Sequence, residues 1–590
     1  MNLNATATQR PIIMQVWQIF LALLVCVPAL LICKQIISTS ALPDLDYWYT
    51  LEKFTNEQGL DLSWRFITLH SNEHLIPVAG LVYLLNIFLT GGSNFGLSAF
   101  ALAMGVLQTF LLAALLPSQA QSSATHKKIW WLVIALFVFT PVAYRNWLRG
   151  MSGVCWIGAN TFSVLALYYF VQITRQFSWR HLFFSTAAGL SAALSYSTGL
   201  MVWPLLGLGS LFLVLKNPRP FLVYTATVIP LILLVIFSFS RPDHHDEPQA
   251  AITAARHGEF LISAIGGTFD SAKVGLVALV TAFLLPLIYV IPRFRVAFSA
   301  AFPWLLLLSY PVLNICIAAW FRAQDFSNAA SASRYASLPA LFILAIIILV
   351  LGLVPPERKR TALLLGIVAA IIGIIPYFNM RSKLNREITY QQQKKLAQLS
   401  LEMSAPDPEL LTRTTMRDFD RFSALIPRLK VIKHVPYNDY RAGSCNFVEA
   451  ALGSGVEGII AAKQGPVTLR KVVLNKVKPF KSSSNASVGV RLFGFVSPSL
   501  VNKATCLLIL NKSLTVVGRV YPGRRSLRPQ NKNLSKSQPK VERLAISGYV
   551  FGEVSGAKLH LAGGEETGPG SANRSLTIRI LSEPFALQEK

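Results

Sequence analysis

The chain has 590 residues, of which 53% are hydrophobic and only 14% are charged, and its mean hydropathy is +0.47. Soluble proteins carry about 25% charged residues, so this composition excludes an ordinary soluble protein and indicates a membrane protein. The net charge of +27 is divided unequally: residues 381–590 carry 33 Lys and Arg against 15 Asp and Glu, or +18, and residues 1–380 carry the other +9. The contrast predicts a membrane domain over 1–380 and a basic, water-soluble part after it.

The apolar runs of the first part predict membrane-spanning helices. The run from Ile12 to Ile37 is too long for a signal-peptide core and lacks a clear small-residue cleavage site, so it predicts a retained first span. A helix needs about 20 apolar residues to cross the hydrocarbon core. The candidate spans are 11–34, 94–116, 129–144, 152–174, 181–196, 198–215, 220–239, 273–292, 298–320, 336–355 and 361–379.

The short apolar segment 75–90 decides the topology, because it contains Pro77 and could cross the membrane or stay at its surface. Lys and Arg collect in cytoplasmic loops, and the clustered basic loops lie on one side only if this segment does not cross. The sequence therefore predicts about eleven spans, a cytoplasmic N-terminus, and an outer location for loop 38–92 and for the C-terminal domain. The basic loops are 126–128, 175–180, 216–219, 293–295 and 358–360.

The C-terminal part has two patterns. Residues 381–442 predict a helical linker, and 443–590 contain short β-prone runs separated by Gly, Ser, Asn and Pro, which predict a mainly-β domain of sandwich type. Cys445 and Cys506 are the two cysteines of this domain, and in an oxidising compartment they could pair. The sequence leaves that pairing open.

Loop 38–92 carries the acidic and histidine residues that stand out in the membrane part. Asp44 and Asp46 follow the first span directly, and Glu73 and His74 precede segment 75–90. Carboxylates held where a bilayer meets water are expensive to keep, so they are functional candidates. The alternative is that they are solvated loop residues or helix caps.

Several short segments resemble the GT-C superfamily of membrane glycosyltransferases. Residues 72–77 (NEHLIP) are similar to the NEHR motif of a bacterial group within that superfamily, although Leu75 stands where the group often has Arg. A phosphate-binding role at that position is therefore absent or lies elsewhere. Further similar segments are Arg145-Asn146-Trp147 to Asn160, 199–204 (GLMVWP) and Ser333-Arg334-Tyr335.

The resemblance implies a fold and a reaction. The fold is a polytopic α-helical membrane domain of GT-C type, and the reaction moves a sugar, with inversion, from a polyprenyl-phosphate donor to an envelope glycan or lipid such as lipopolysaccharide. The location would be a bacterial inner membrane with the C-terminal domain in the periplasm. No cofactor is implied, and a divalent metal is not favoured.

The chemistry of that reaction assigns roles to the candidate residues. An acceptor hydroxyl needs a general base, for which Asp46 is preferred because Tyr47 and Trp48 could pack a sugar face; Asp44 is the second choice. The leaving phosphate needs positive charge, although interfacial Arg can also snorkel to headgroups. The predicted substrate-binding residues are Glu73, His74, Arg145, Arg149, Asn160, Arg334 and Tyr335.

Other functions remain as alternatives. A transporter or flippase of lipid-linked saccharide would carry ionisable residues within its spans and an internal repeat, and a non-enzymatic envelope assembly protein would tolerate substitutions in loop 38–92. Residues 70–74 (HSNEH) also match the H-x-x-E-H pattern of zinc proteases, and His244, His245 and Asp246 could bind a metal. Nucleic-acid binding is disfavoured by the predicted outer location.

Overall fold

The computed structural model describes residues 6–63, 66, 68–71, 74–214, 218, 224, 229, 254–291, 298–322, 332–379, 381–402, 406–437 and 513, together with the strands between 478 and 586. The chain divides into two compact units. The first comprises Met1–Thr39 and Asp46–Glu387, and the second comprises Ser40–Leu45 and Ile388–Lys590. The predicted boundaries at 380 and 442 differ from this division and stay a prediction.

The first unit is built from apolar helices joined by short turns. In chain order its helices are α1 (Thr6–Ile37), α2 (Leu45–Lys53), α3 (Pro77–Thr90), α4 (Asn94–Ala114), α5 (Ala124–Val138), α6 (Tyr144–Leu148), α7 (Gly150–Arg175), α8 (Trp179–Ser195), α9 (Val202–Val214), α10 (Ala254–Gly266), α11 (Ala272–Val290), α12 (Phe298–Arg322), α13 (Ser337–Gly352) and α14 (Lys359–Asn379). Two small hairpins lie between α2 and α3: β1 (Thr55–Asn56) with β2 (Gly59–Leu60), and β3 (His70–Ser71) with β4 (His74–Leu75).

Seven of the described helical segments are long and apolar enough to cross a membrane, so the chain is a polytopic helical membrane protein. They are Gln15–Ile37, Asn94–Ala114, Ala124–Leu148, Gly150–Arg175, Ala272–Val290, Ala300–Arg322 and Lys359–Asn379. The predicted spans at 181–196, 198–215 and 336–355 coincide with the shorter helices α8, α9 and α13, and 220–239 lies almost wholly outside the described residues. The count of eleven therefore stays a prediction.

Helix α3 has the bounds that its sequence favours. Pro77 stands at its first turn, where a missing N–H costs nothing, and Gly91 closes it in the left-handed conformation with φ 64°. Its 14 residues give a length of about 21 Å, which is less than the roughly 30 Å of a hydrocarbon core. This length favours the expectation that segment 75–90 does not cross.

One helix of the first unit was missing from the predicted elements. Helix α10 (Ala254–Gly266) lies between the predicted spans 220–239 and 273–292 and is followed by α11. A Cβ on Gly275 would meet the carbonyl oxygen of Ile262, so the two helices approach closely there because Gly275 has no side chain. Helix α10 has only 13 residues, so a search for apolar runs of about 20 residues does not find it.

Two short helices of the second unit begin at Asp caps. Helix α15 (Arg381–Glu402) starts in the first unit and continues into the second; α16 (Pro408–Thr414) and α17 (Phe419–Val431) follow it. The carboxylate of Asp407 accepts from Leu410 N, and that of Asp418 accepts from Arg421 N. These bonds satisfy N–H groups that the first turn of a helix leaves open.

The strands of the second unit form one antiparallel sheet in the described residues. The strands are β5 (Lys478–Lys481), β6 (Val488–Val496), β7 (Cys506–Leu510), β8 (Val516–Arg528), β9 (Val541–Phe551), β10 (Lys558–Thr567), β11 (Ser575–Ile580) and β12 (Phe585–Ala586). Their order is β11-β10-β7-β8-β9-β6-β5, and β12 pairs with β10. A second layer, as a sandwich requires, stays a prediction, and Cys445 lies outside the described residues.

Candidate active site

The two carboxylates after the first span lie in different surroundings. Asp44 belongs to the second unit, where its Oδ1 accepts a hydrogen bond of 2.7 Å from the Tyr390 hydroxyl and lies 3.4 Å from Lys394 Nζ. The side chain of Asp44 is 8% exposed and that of Lys394 is fully buried. Asp44 is thus part of a buried ion pair.

Asp46 is exposed and stands in the first turn of α2. A carboxylate is stabilised there by the helix dipole and by N–H groups that the first turn leaves open. Within the helix, the Thr50 hydroxyl donates to Asp46 O at 2.9 Å. Asp46 therefore offers a solvent-accessible carboxylate at the start of a short helix.

The aromatic residues that follow Asp46 are core residues. Tyr47 and Trp48 are both fully buried; the Tyr47 ring meets Trp48 edge-on at 5.6 Å and Tyr83 of α3 at 5.2 Å. The expectation that these rings pack a sugar face has no support from this geometry, because both rings are buried and the Tyr47 ring contacts α3.

Arg334 is a cation whose pKa several neighbouring groups affect, with the Asp46 carboxylate the smallest contributor. Burial disfavours the charged form of Arg334, but Tyr335, Tyr196 and the Asp46 carboxylate favour it more strongly, so the pKa of the guanidinium is raised. Arg334 is half-buried, and its guanidinium lies 5.2 Å from the centre of the Tyr335 ring. Its Nε is buried and has no hydrogen-bond partner among the described groups.

A continuous row of rings leads from Arg334 to the β3–β4 hairpin. Tyr335, which is buried, meets Trp156 of α7 edge-on at 5.1 Å; Trp156 lies 4.9 Å from Tyr196; and Tyr196 lies 4.0 Å from the His74 ring. Three of the predicted substrate-binding residues, His74, Tyr335 and Arg334, are therefore connected through this row of rings. Glu73, the neighbour of His74, lies outside the described residues.

The three predicted phosphate-binding arginines differ in what occupies their donors. Arg149 forms a two-bond ion pair with Glu387, from Nε at 3.1 Å and from Nη2 at 2.9 Å, and the Glu387 side chain is 2% exposed. Arg145 is half-buried, and its Nε has no hydrogen-bond partner among the described groups. The donors of Arg149 are therefore engaged by protein, whereas the buried Nε atoms of Arg145 and Arg334 have no hydrogen-bond partner among the described groups.

Asn160 lies inside the helix bundle. It is fully buried; its Nδ2 donates to Ser337 Oγ at 3.1 Å and its Oδ1 accepts from the Tyr310 hydroxyl at 3.0 Å. These bonds join α7, α12 and α13. With both ends of the amide engaged, Asn160 joins helices in this structure, and its predicted substrate contact has no support from this geometry.

The short helix α6 places Arg145 and supports Arg334. Asn146, fully buried, donates to Arg334 O at 2.9 Å and accepts from Ser152 Oγ at 2.7 Å. Asn94 braces the same corner, since its Oδ1 accepts from Gly150 N and its Nδ2 donates to Leu148 O. Several hydrogen bonds therefore hold the corner between α6 and α7, and they fix the backbone of Arg145 and Arg334.

Sequence reasoning missed four residues of this neighbourhood: Tyr83, Cys155, Trp156 and Tyr196. The Tyr83 hydroxyl lies 3.3 Å from Cys155 Sγ, and the charge of Asp46 acts on this pair. The only available signal was that Tyr196 lies at the boundary between the predicted spans 181–196 and 198–215. Tyr83, Cys155 and Trp156 sit in apolar runs, where nothing in the sequence separates a site residue from a core residue.

The metal sites considered from the sequence remain without support. Among the described residues no group of three or more His, Cys, Asp and Glu is arranged to hold a metal ion. His244, His245 and Asp246 lie outside the described residues, as does Glu73 of the H-x-x-E-H match.

Comparison with known proteins gives one structural similarity to report. No protein-family model and no curated protein matches the chain. The solved structure of ArnT from Cupriavidus metallidurans in the apo state matches over 71% of this chain and 75% of that chain, with 15% identity and a TM-score of 0.36. A likeness of this size carries no argument about fold or function.

Proposed function

We propose that the chain is a membrane glycosyltransferase that moves a sugar from a polyprenyl-phosphate donor to an envelope glycan or lipid acceptor on the outer, periplasmic face. One observation supports this most directly: the exposed carboxylate of Asp46 is among the groups that raise the pKa of the half-buried cation Arg334, after Tyr335 and Tyr196. Transfer from a lipid phosphate requires a base for the acceptor and a cation for the leaving phosphate.

The proposed step is a single displacement. The acceptor oxygen attacks the anomeric carbon while its proton passes to the Asp46 carboxylate, and the bond between the anomeric carbon and the phosphate oxygen breaks. The electron pair leaves with the polyprenyl phosphate, and Arg334 and Arg145 stabilise the negative charge that develops there. One displacement inverts the anomeric configuration.

Asp46 is preferred to Asp44 as the base because it is exposed. A base must come within hydrogen-bond reach of the proton that it removes, and the Asp44 carboxylate is engaged by Tyr390 and Lys394 in a buried pair. His74 and Tyr335, at the two ends of the ring row, then line the approach to Arg334 as acceptor-orienting groups.

The Asp46→Asn variant tests the base. We expect transfer to fall by roughly 10²–10⁴-fold, the usual contribution of general base catalysis, while thermal stability falls by no more than about 1 kcal/mol, the usual contribution of an exposed carboxylate at a helix start. The assay is transfer of radiolabelled sugar from polyprenyl phosphate to envelope lipid in membranes from cells with and without the protein.

Asp61→Asn is the matched control, since Asp61 lies in the same loop and accepts from Ser63 N. Activity should be retained in that variant. Full transfer by Asp46→Asn would remove the catalytic assignment, and equal loss in both variants would point to damage of the loop instead.

A further inference from the structure

Asn146 is a fully buried polar residue to which the proposed reaction gives no role. It follows Arg145 directly in α6, and its Nδ2 donates to Arg334 O at 2.9 Å, across 188 residues of sequence. Asn146 is therefore joined to both arginines, to Arg145 by a peptide bond and to Arg334 by a hydrogen bond. One residue thus links the backbones of two cations that lie far apart in the sequence.

The amide of Asn146 is held in one orientation. A backbone carbonyl can only accept, so the contact with Arg334 O fixes which end of the amide is the donor, and the other end accepts from Ser152 Oγ at 2.7 Å. The backbone of Asn146 is also closely packed, because a Cβ on Gly153 of α7 would meet Asn146 O. Both the side chain and the backbone of Asn146 are therefore fixed.

The two arginines that Asn146 links have donors that the described protein groups leave open. Arg145 and Arg334 are half-buried, and the Nε of each is buried without a hydrogen-bond partner among the described groups. No carboxylate in the described parts of the chain forms an ion pair with either of them. A buried donor without an acceptor is costly, and an anion bound to both arginines removes that cost.

The link between the two backbones matters because a phosphate group is small. A guanidinium stands at the end of a flexible stem of methylene groups, and its paired donors match phosphate oxygens. With the Arg334 backbone held beside Asn146, both guanidinium groups can reach one phosphate without a prior rearrangement of the chain. Such preorganisation strengthens binding because less conformational entropy is lost when the ligand binds.

We propose that Asn146 is a positioning residue that joins Arg145 and Arg334 into one binding site for the phosphate group of a polyprenyl phosphate. Asn146 acts without touching the phosphate, since protein groups engage both ends of its amide. The inference rests on the proposed function, which supplies the polyprenyl phosphate. It adds the residue on which the joint action of the two arginines depends.

The experiment measures binding of two probes to the purified full-length protein in neutral detergent. The probes are tritiated polyprenyl phosphate and tritiated polyprenol, which has the same lipid chain but no phosphate, and binding is followed by scintillation proximity. In Asn146→Ala we expect the dissociation constant of polyprenyl phosphate to rise roughly tenfold, because contacts with a charged group are weakened. The affinity for polyprenol should not change, whereas general damage to the fold would weaken both probes.

The matched control is Asn86→Ala, at the corner between α3 and α4. Asn86 is also buried; its Nδ2 donates to Ser93 O at 3.0 Å and its Oδ1 accepts from Thr90 Oγ1 at 2.7 Å. Asn86→Ala therefore removes an amide with the same kinds of bond and should bind both probes as the wild type does. If Asn146→Ala does not fold, Ser152→Ala removes only the hydroxyl that orients the amide, and it should weaken phosphate binding by a smaller factor.

A double variant tests whether Asn146 acts through Arg334. In that case Asn146→Ala should weaken binding no further when it is added to Arg334→Gln. The inference would be overturned by wild-type affinity for polyprenyl phosphate in the Asn146 or Ser152 variant, by an equal loss in Asn86→Ala or for polyprenol, or by losses that multiply in the double variant. If the wild type bound polyprenyl phosphate no more tightly than polyprenol, the proposed function would fail as well.

Discussion

Asp44 and Asp46 are separated by one residue, yet their surroundings suit them to different tasks. Asp44 is buried against Tyr390 and Lys394, so its carboxylate is not exposed to an incoming acceptor hydroxyl. Asp46 is exposed at the start of α2. Their position after the first span made both residues candidates for the general base, and only the difference in burial distinguishes them.

Removing Lys394 should destabilise the second unit. Lys394→Met leaves the Asp44 carboxylate buried without its cation, which costs about 3–5 kcal/mol, and the midpoint of thermal unfolding should fall. The control is Arg413→Gln, which breaks the exposed pair between Arg413 and Glu409 and should cost less than about 1 kcal/mol. The Asp44→Asn/Lys394→Met double variant should recover much of the loss; no recovery would mean that the pair is not the source of the effect.

The arginines should separate into a functional and a structural group. We expect Arg334→Gln to lower the specificity constant for the lipid donor by roughly 10²–10³-fold, since it removes a cation aimed at developing charge, with little change in the unfolding temperature. Arg149→Gln should mainly lower the unfolding temperature, because it strands the buried Glu387. Donor-dependent kinetics and thermal unfolding of both variants check this, and the reverse assignment of effects would refute it.

At the scale of elements, a buried histidine after the end of α17 makes folding stability depend on pH. His434 follows α17, and its backbone N–H donates to Leu429 O. Burial, opposed by a hydrogen bond with Val435 O, lowers the pKa of His434 to about 4. Between pH 6.5 and 4 the unfolded chain then binds a proton that the folded chain does not, so folding stability falls as the pH falls.

We therefore expect the wild type to lose on the order of 2 kcal/mol between pH 7 and pH 5 relative to His434→Gln, which has no proton to bind. The measurement is the difference in thermal unfolding midpoint between the two proteins across that range, followed by circular dichroism. A constant difference would show that His434 is not buried as the neutral form.

The long apolar helices could be predicted from the sequence, whereas the candidate site could be predicted only in part. Apolar runs located α1, α4, α7, α11, α12 and α14, because burial in lipid demands continuous hydrophobicity. The same criterion could not find α10, which is short and has Arg256, His257 and Glu259 at its start. The ring row from His74 to Tyr335 was also out of reach, because Trp156 and Tyr196 meet only through the packing of α7 and α8.

At the scale of the whole molecule, the predicted topology decides on which side of the membrane loop 38–92 and the C-terminal domain lie. Cysteines introduced singly into a cysteine-free background should report it: Glu57→Cys, at the tip of the β1–β2 hairpin, should react with a membrane-impermeant maleimide added to intact cells freed of outer membrane. Ala124→Cys, at the start of α5, should react only after lysis. Both positions are exposed, so labelling of Ala124→Cys from outside would overturn the eleven-span arrangement.

The division of the chain has one more consequence, since Ser40–Leu45 belongs to the second unit although it follows the first span. The C-terminal region therefore cannot be detached by one cut after α14. A chain shortened at residue 387 would keep Asp44 but lose Tyr390 and Lys394, the partners that neutralise it. The start of α2 would then be tethered to an orphaned charge, so catalysis should fail on truncation even if the residues removed never touch the sugar.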